Sequence, residues 1–192
     1  MKRFILASAS PRRKEILENA GFDFEIIVSD VDENITEDLS PSETVEELAK
    51  RKALAVWEEN KDAVVFGCDT VVAVDGQILG KPRDDDEAFA MIKMLSGKAH
   101  TVSTGVCICT EDKISVFSNT TNVEFYTLSD ETIRSYVATG ESRDKAGAYG
   151  IQGYGSVLIK EIKGDYFSVM GLPVSESSRV LADFGIYGKV RV

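Results

Sequence analysis

Histidine occurs once in this chain, at His100, and cysteine three times, at Cys68, Cys107 and Cys109. A single histidine leaves little for zinc chemistry and makes a Ser-His triad fragile. His100 reads as an ordinary strand-entry residue. Three is an odd number of cysteines, and Cys107-x-Cys109 puts two on one face of the alternating stretch Val102 to Ile108. Buried free thiols are therefore expected rather than a disulfide or a metal site. A basic surplus is also missing: 22 Lys and Arg stand against 32 Asp and Glu, a formal net charge of −10. That balance excludes a broad phosphate-backbone surface, and nucleic acid is not an expected partner. A small anion needs only a local positive site, and an acidic surround helps recruit a divalent cation. No apolar run approaches membrane-spanning length, and no h-region followed by a small-residue cleavage site opens the chain. No membrane partner is expected, and the expected compartment is the cytoplasm. Low-complexity stretches and 20–50-residue repeats are absent, which sets a solenoid aside.

What is present suits a soluble globular protein: 192 residues, 43% hydrophobic and 28% charged. That length supports one core, or two small lobes sharing a sheet; one domain with a cleft is the preferred reading. Phe4 to Ala7 reads as a short buried strand. Ser10 is an N-cap candidate with Pro11 at the first helical position, and Gly21 stops the helix. Phe22 to Val28 is a second strand candidate, followed by the acidic loop Asp30 to Asn34. Ser40-Pro41-Ser42-Glu43 opens the next helix with a capping-box pattern. Ala63 to Cys68 is a nearly continuous apolar strand, with Asp69-Thr70 at or near its carboxyl end. Val71 to Val74, Asp75-Gly76 and Gln77 to Leu79 signal a hairpin. A helix over Asp85 to Leu95 closes at Gly97. Paired strands over His100 to Thr110 and Lys113 to Tyr126 follow, and then a helix capped by Ser129 that ends near Gly140. Asp144 to Gly153 is glycine-rich and reads as an ordered loop or broken helix. Ser156 to Ile162 and Tyr166 to Met170 are further strand candidates, and Pro173 begins a last helix stopped by Gly185.

Arg12 and Arg13 fall in the first helical turn, where the macrodipole disfavours cations by roughly 0.3–1 kcal/mol each. An anion at the unpaired backbone N–H groups reverses that sign, and phosphate is the usual occupant. A solvated basic turn is the alternative. Lys52 shares the apolar stripe of Val45, Leu48, Ala49, Ala53 and Val56. Either its stem lies along the core edge with its head in water, or its ammonium points into a cleft. Arg12, Arg13, Lys52 and Lys81, with Asp69 and Glu33, supply the parts for metal-assisted attack on a polyphosphate. Arginine pairs donors on phosphate, lysine adds point charge, and carboxylates bind Mg²⁺ or position water. Asp69 could instead cap the turn after its strand. Ser8 and Ser10 lie outside any G-x-S-x-G elbow, so capping and phosphate hydrogen bonding explain them better than nucleophilic attack. The glycine-rich segment lacks G-x-x-x-x-G-K-[ST], so a Walker-type NTPase is not supported.

Four segments in order carry a family likeness: Ala7-Ser8-Ala9-Ser10-Pro11-Arg12-Arg13, Gly67-Cys68-Asp69-Thr70-Val71-Val72, Gly80-Lys81-Pro82 and Asp144 to Gly153. Together they resemble the Maf family of nucleoside triphosphate pyrophosphatases, from the first strand to the last helix. One such motif arises by chance; four in this order are highly specific. The resemblance implies an α/β fold with a long twisted mixed sheet flanked by helices, two lobes around a central cleft, akin to inosine triphosphate pyrophosphatases, with 1–192 as one domain. It implies hydrolysis between the α and β phosphates with a divalent cation, Mg²⁺ first and Mn²⁺ or Co²⁺ as alternatives, and allows a homodimer. Asp69 matches the family's proton acceptor. Arg12, Thr70 and Gln152 match its specificity positions, and Ser8, Arg13, Glu33, Lys52 and Lys81 match polar positions at the phosphate and metal end. Metal binding falls to Glu33 and Asp69, with Asp69 as base, ligand or both. Ala148-Tyr149-Gly150-Ile151-Gln152 resembles the branch acting on dTTP and UTP. Chemically, the Gln152 amide offers one donor and one acceptor to the O4 and N3–H edge of uracil or thymine. A 7-methyl-GTP or modified-purine pyrophosphatase and a non-catalytic nucleotide sensor of septum formation are the alternatives. Exclusion of modified nucleotides from incorporation, and arrest of cell division, are the cellular roles the resemblance implies.

Overall fold

The computed structural model describes residues 2–35 and 38–192. Their strands form one seven-stranded sheet. In chain order they are β1 (Arg3–Leu6), β2 (Glu25–Ile26), β3 (Ala63–Val74), β4 (Gln77–Leu79), β5 (Ala99–Cys109), β6 (Ile114–Phe125) and β7 (Ile159–Lys163). The order across the sheet is β2-β1-β3-β5-β6-β7, with β4 also paired to β3. β1 runs parallel to β2 and to β3, whereas β4 and β7 are antiparallel to β3 and β6. Among the described residues six α-helices flank this mixed, open sheet: α1 (Pro11–Asn19), α2 (Pro41–Glu58), α3 (Asp85–Leu95), α4 (Asp130–Val137), α5 (Tyr166–Met170) and α6 (Val174–Asp183). It is an α/β protein of the expected class. None of the described helices is long and apolar enough to cross a membrane.

The described chain divides into two compact units. The first comprises Met1–Asp69, Thr104–Asn119 and Gly171–Val192; the second comprises Thr70–Ser103 and Thr120–Met170. In the first, Arg3 to Leu6 pair in register with Ala63 to Phe66. Helix α2 covers these strands, placing Ala49, Ala53 and Val56 against Ile5, Val65, Cys107 and Cys109. The helix starts where the capping box is expected: Ser40 Oγ accepts from the Glu43 N–H at 3.3 Å, and the Ser40 N–H donates to Glu43 Oε2 at 2.9 Å. In the second unit α3, α4 and the glycine-rich segment pack a core of Val72, Leu79, Ile92, Leu95, Val102, Phe125, Ile133 and Leu158. Burying each large side chain contributes roughly 1.5–3 kcal/mol before conformational entropy is set against it. Cys68, Cys107 and Cys109 are buried free thiols, as their number and spacing suggest.

Five elements depart from the sequence reading. The Phe22–Val28 strand shrinks to two exposed residues, because Phe22 and Phe24 turn their rings onto Phe4, with centroids 6.1 and 6.3 Å away. The strand expected to end near Cys68 continues unbroken to Val74, so Asp69 and Thr70 lie inside β3 rather than at its end. Tyr166–Met170 is helical: Asp165 caps it by accepting the Phe167 N–H at 2.8 Å. The neighbouring Ser156 to Ile162 candidate is half right, since 153–158 forms a 3₁₀ segment and the strand begins at Ile159. The Ser129-capped helix itself ends at Val137, three residues short of Gly140.

Candidate active site

In the first unit, the chain leaves β1 and turns into α1 through Ser8 and Ser10. Ser10 adopts the extended backbone of an N-cap and Pro11 occupies the first helical position, which places Arg12 and Arg13, both half-buried, in the first turn. Ser8 is buried and its Oγ accepts from the Ser10 N–H at 3.3 Å and from Arg13 Nη1 at 3.0 Å. Arg13 Nε donates to the Gly171 carbonyl at 2.8 Å. Its guanidinium is thus held at two edges beside the positive end of a helix.

The Gly171 carbonyl also accepts from Cys68 Sγ at 3.1 Å. Burial pushes the Cys68 thiol up to about 11, with the nearby Arg13 pulling the other way, so it acts as a neutral hydrogen-bond donor. The next residue in β3 is Asp69. Lys52, projecting from α2, donates to Asp69 Oδ1 at 2.5 Å and to Glu33 Oε1 at 2.8 Å. The Lys52 and Asp69 side chains are each 12% exposed, whereas Glu33 is 61% exposed. The Lys52 ammonium is therefore held between two carboxylates, which sets aside the reading in which its head lies in water. An exposed ion pair contributes little, but this one is largely desolvated on the Asp69 side and removing either partner is costly.

Carboxylate oxygens are hard donors suited to Mg²⁺. Among the described residues no group of three or more His, Cys, Asp or Glu surrounds one point. Glu33 and Asp69, both in contact with Lys52, could supply at most two protein ligands, and the remaining positions would fall to phosphate and water, the usual pattern for Mg²⁺. The donor set fits such a cation.

The other expected residues lie in the second unit. Thr70 follows Asp69 in β3 and is half-buried; Lys81 is exposed beyond β4. Gln152, half-buried, ends the glycine-rich segment between two 3₁₀ turns, Ala146–Ala148 and Gly153–Leu158. The Gly147 N–H donates to the Gly80 carbonyl at 3.0 Å, which ties the residue before Lys81 to the segment that carries Gln152. Gly147 has a φ of 66°, and a Cβ there would stand 2.9 Å from Val72, so the crossing needs glycine.

Two groups escaped the sequence reading. The Gly171 carbonyl positions Arg13 from 158 residues away; a main-chain oxygen leaves no side-chain signal. Glu141 orders the glycine-rich segment, and its only cue was a carboxylate just ahead of an ordered run of glycines.

A mixed sheet flanked by helices, with an arginine held in the first turn of α1 and a lysine bridging two carboxylates, defines an α/β protein with one cluster of paired charges in its first unit. The chain belongs to the Maf-like protein family, whose model matches residues 3–184. A dTTP/UTP pyrophosphatase of Bacillus pumilus (strain SAFR-032) is 50% identical over 186 residues, covering 97% of this chain and 98% of that protein. A dTTP/UTP pyrophosphatase of Bacillus cereus (strain AH820) is 53% identical over 186 residues, 97% of each chain. One of Bacillus velezensis (strain DSM 23117 / BGSC 10A6 / LMG 26770 / FZB42) is 51% identical over 185 residues, 96% of this chain and 98% of its own.

Proposed function

We propose that this chain is a nucleoside triphosphate pyrophosphatase that hydrolyses dTTP and UTP to the monophosphate and pyrophosphate. The observation that carries the reading is Lys52 holding Asp69 and Glu33 in one cluster, with Cys68 linking Asp69 to the Arg13 clamp through Gly171. The names of the relatives supply the substrate class.

Ser8, Arg12 and Arg13 bind phosphate oxygens at the start of α1. Asp69 takes the proton of a water whose oxygen attacks phosphorus at the α–β linkage. One P–O bond forms, the bridging P–O bond breaks, and the electron pair departs with pyrophosphate. Lys52 orients Asp69 through their ion pair, and its charge favours the oxyanions that develop in the transition state. A divalent cation held by Glu33 and Asp69, Mg²⁺ or alternatively Mn²⁺ or Co²⁺, would supply phosphate charge neutralisation. Thr70, Lys81 and Gln152 are assigned to substrate binding on the match of their motifs to the family, with Gln152 reading the uracil or thymine edge and Arg12 and Thr70 contributing to specificity. The family match spans both units, which supports residues 1–192 acting as one domain. The cytoplasm is its proposed setting, and a homodimer its proposed assembly.

Product analysis with dTTP, UTP and Mg²⁺ tests the activity. Monophosphate plus pyrophosphate is expected. Unchanged nucleotide would point to a sensor, orthophosphate plus diphosphate to a different bond, and preference for 7-methyl-GTP to another branch. Asp69→Asn should lower kcat by about 10²–10⁴-fold, the usual contribution of a positioned base. Near-normal turnover of that variant at saturating Mg²⁺ sinks the assignment.

A further inference from the structure

The glycine-rich segment that carries Gln152 is anchored on both sides to one carboxylate. Upstream of Gln152, the Gly150 N–H donates to the Tyr136 hydroxyl at 3.3 Å, and that hydroxyl donates to Glu141 Oε1 at 3.1 Å. Burial, with the adjacent Glu141 charge, raises the Tyr136 phenol above its ordinary value, so it stays a donor. Downstream, the Tyr154 N–H donates to Glu141 Oε2 at 2.8 Å and the Gly155 N–H to Glu141 Oε1 at 3.0 Å. Lys145 Nζ donates to the Glu141 carbonyl at 2.5 Å, fixing the residue's own backbone. Bonds from backbone N–H to a carboxylate are charge-assisted and short, so they fix main-chain position closely.

The glycines make room for this. A Cβ at Gly153, whose φ is 64°, would stand 2.3 Å from Glu141 Oε2, and a Cβ at Gly155 would stand 2.2 Å from the Gly150 carbonyl. Only a chain without side chains at these two positions can wrap so closely around the carboxylate. Only Ile151, Gln152 and Gly153 lie between Gly150 and Tyr154, so fixing both ends leaves Gln152 few backbone alternatives.

We propose that Glu141 is a positioning residue for base selection: it holds the Gly150–Gly155 segment so that the Gln152 amide meets the base in one orientation. This rests on the reading of Gln152 as the residue that distinguishes uracil and thymine from cytosine. Cytosine exchanges the donor and acceptor on that edge, and a loosely held amide flips to match it. Discrimination therefore depends on holding the amide as much as on having it.

The test is kcat/KM for dTTP, UTP and CTP with the wild type, Gln152→Ala, Glu141→Ala and the double variant. Glu141→Ala should lower the UTP-to-CTP ratio by about tenfold, mainly through KM, comparably to Gln152→Ala. The double variant should lose little further discrimination, because both changes act through one amide. Glu141→Gln keeps one acceptor oxygen and should fall between wild type and Glu141→Ala; it serves alone if the alanine variant does not fold. Equal losses for all three nucleotides in a folded Glu141 variant, or additive loss of discrimination in the double variant, would overturn the proposal. If Gln152→Ala leaves the ratio unchanged, the base-reading role of Gln152 fails and the proposal falls with it. If Gln152→Ala shifts the ratio while the Glu141 variants do not, the positioning role alone fails.

Discussion

Lys52 is where charge and burial compete most directly. Its ammonium serves two carboxylates, and Asp69 is buried enough that losing its counter-charge leaves it poorly solvated. Lys52→Met should cost about 2–3 kcal/mol of stability, below the range for a wholly buried pair because Glu33 faces solvent. Added Mg²⁺ should recover part of that loss by supplying positive charge between the same oxygens. Chemical denaturation with and without Mg²⁺ checks both points; an unchanged midpoint in the variant would show that the pair contributes nothing. His100 provides a second residue-scale test. It is buried, its Nε2 lies 2.7 Å from the Tyr149 hydroxyl, and its rings pack edge-on against Phe125 and Tyr149. Its Nδ1 has no partner, and burial lowers the imidazole to about 4. Between about 6.5 and about 4 the unfolded chain takes up a proton that the folded chain refuses. Stability is therefore full above about pH 6.5 and falls by about 3 kcal/mol as pH approaches 4. His100→Gln should flatten that part of the pH–stability curve. A wild-type curve with no slope there would count against the buried neutral histidine.

At the scale of elements, the site depends on how closely α2 lies on the sheet. A Cβ at Gly67 in β3 would stand 2.3 Å from the Ala49 carbonyl oxygen, and one at Gly105 in β5 would stand 2.3 Å from the Val45 carbonyl oxygen. These are main-chain atoms of α2, so the helix itself must move to make room. Gly67→Ala should cost about 1–3 kcal/mol, the usual penalty for overpacking. It should also displace Lys52, which neighbours Ala53 on that helix, and so lower kcat/KM more than the loss of folded protein explains. Activity per folded molecule equal to wild type would show that α2 can shift without disturbing the cluster. The same close packing sets what the sequence could reveal. Caps are local, so Ser10, Ser40 and Ser129 could be recognised with their helices, and the three-to-four-residue spacing put Lys52 on the inner face of α2. Glu33 and Asp69 could be grouped with it by motif, but that its ammonium bridges the two could not be read, since they come from a loop and a strand that meet only through folding. Asp69 looked like a strand end because apolar residues stop at Cys68, yet Val71 to Val74 resume the same strand. In Tyr166–Met170 the apolar pattern concealed the capping signal of Asp165, whose backbone is fixed by Thr121 through bonds of 2.8 and 3.2 Å.

On the scale of the whole chain, the way the segments are dealt out decides how the protein should unfold. The first unit is assembled from three stretches of chain and the second from two, with boundaries inside β3, β5 and β6. Neither unit is one continuous segment that could be cut out with its strands complete, and unfolding either one means breaking three strands mid-length. The low-stability limit of local opening is therefore expected in loops and termini, not in a whole unit. Thermal or urea unfolding of the full chain should give a single transition with coincident far-ultraviolet and near-ultraviolet signals, and calorimetric and van't Hoff enthalpies should agree. The lone Trp57 reports on the first unit, whereas five of the six tyrosines, Tyr126, Tyr136, Tyr149, Tyr154 and Tyr166, lie in the second, and Tyr187→Phe removes the one that does not. If tryptophan fluorescence and tyrosine signals gave separate midpoints, the two units would fold independently, and the assignment of residues 1–192 to one domain would have to be given up.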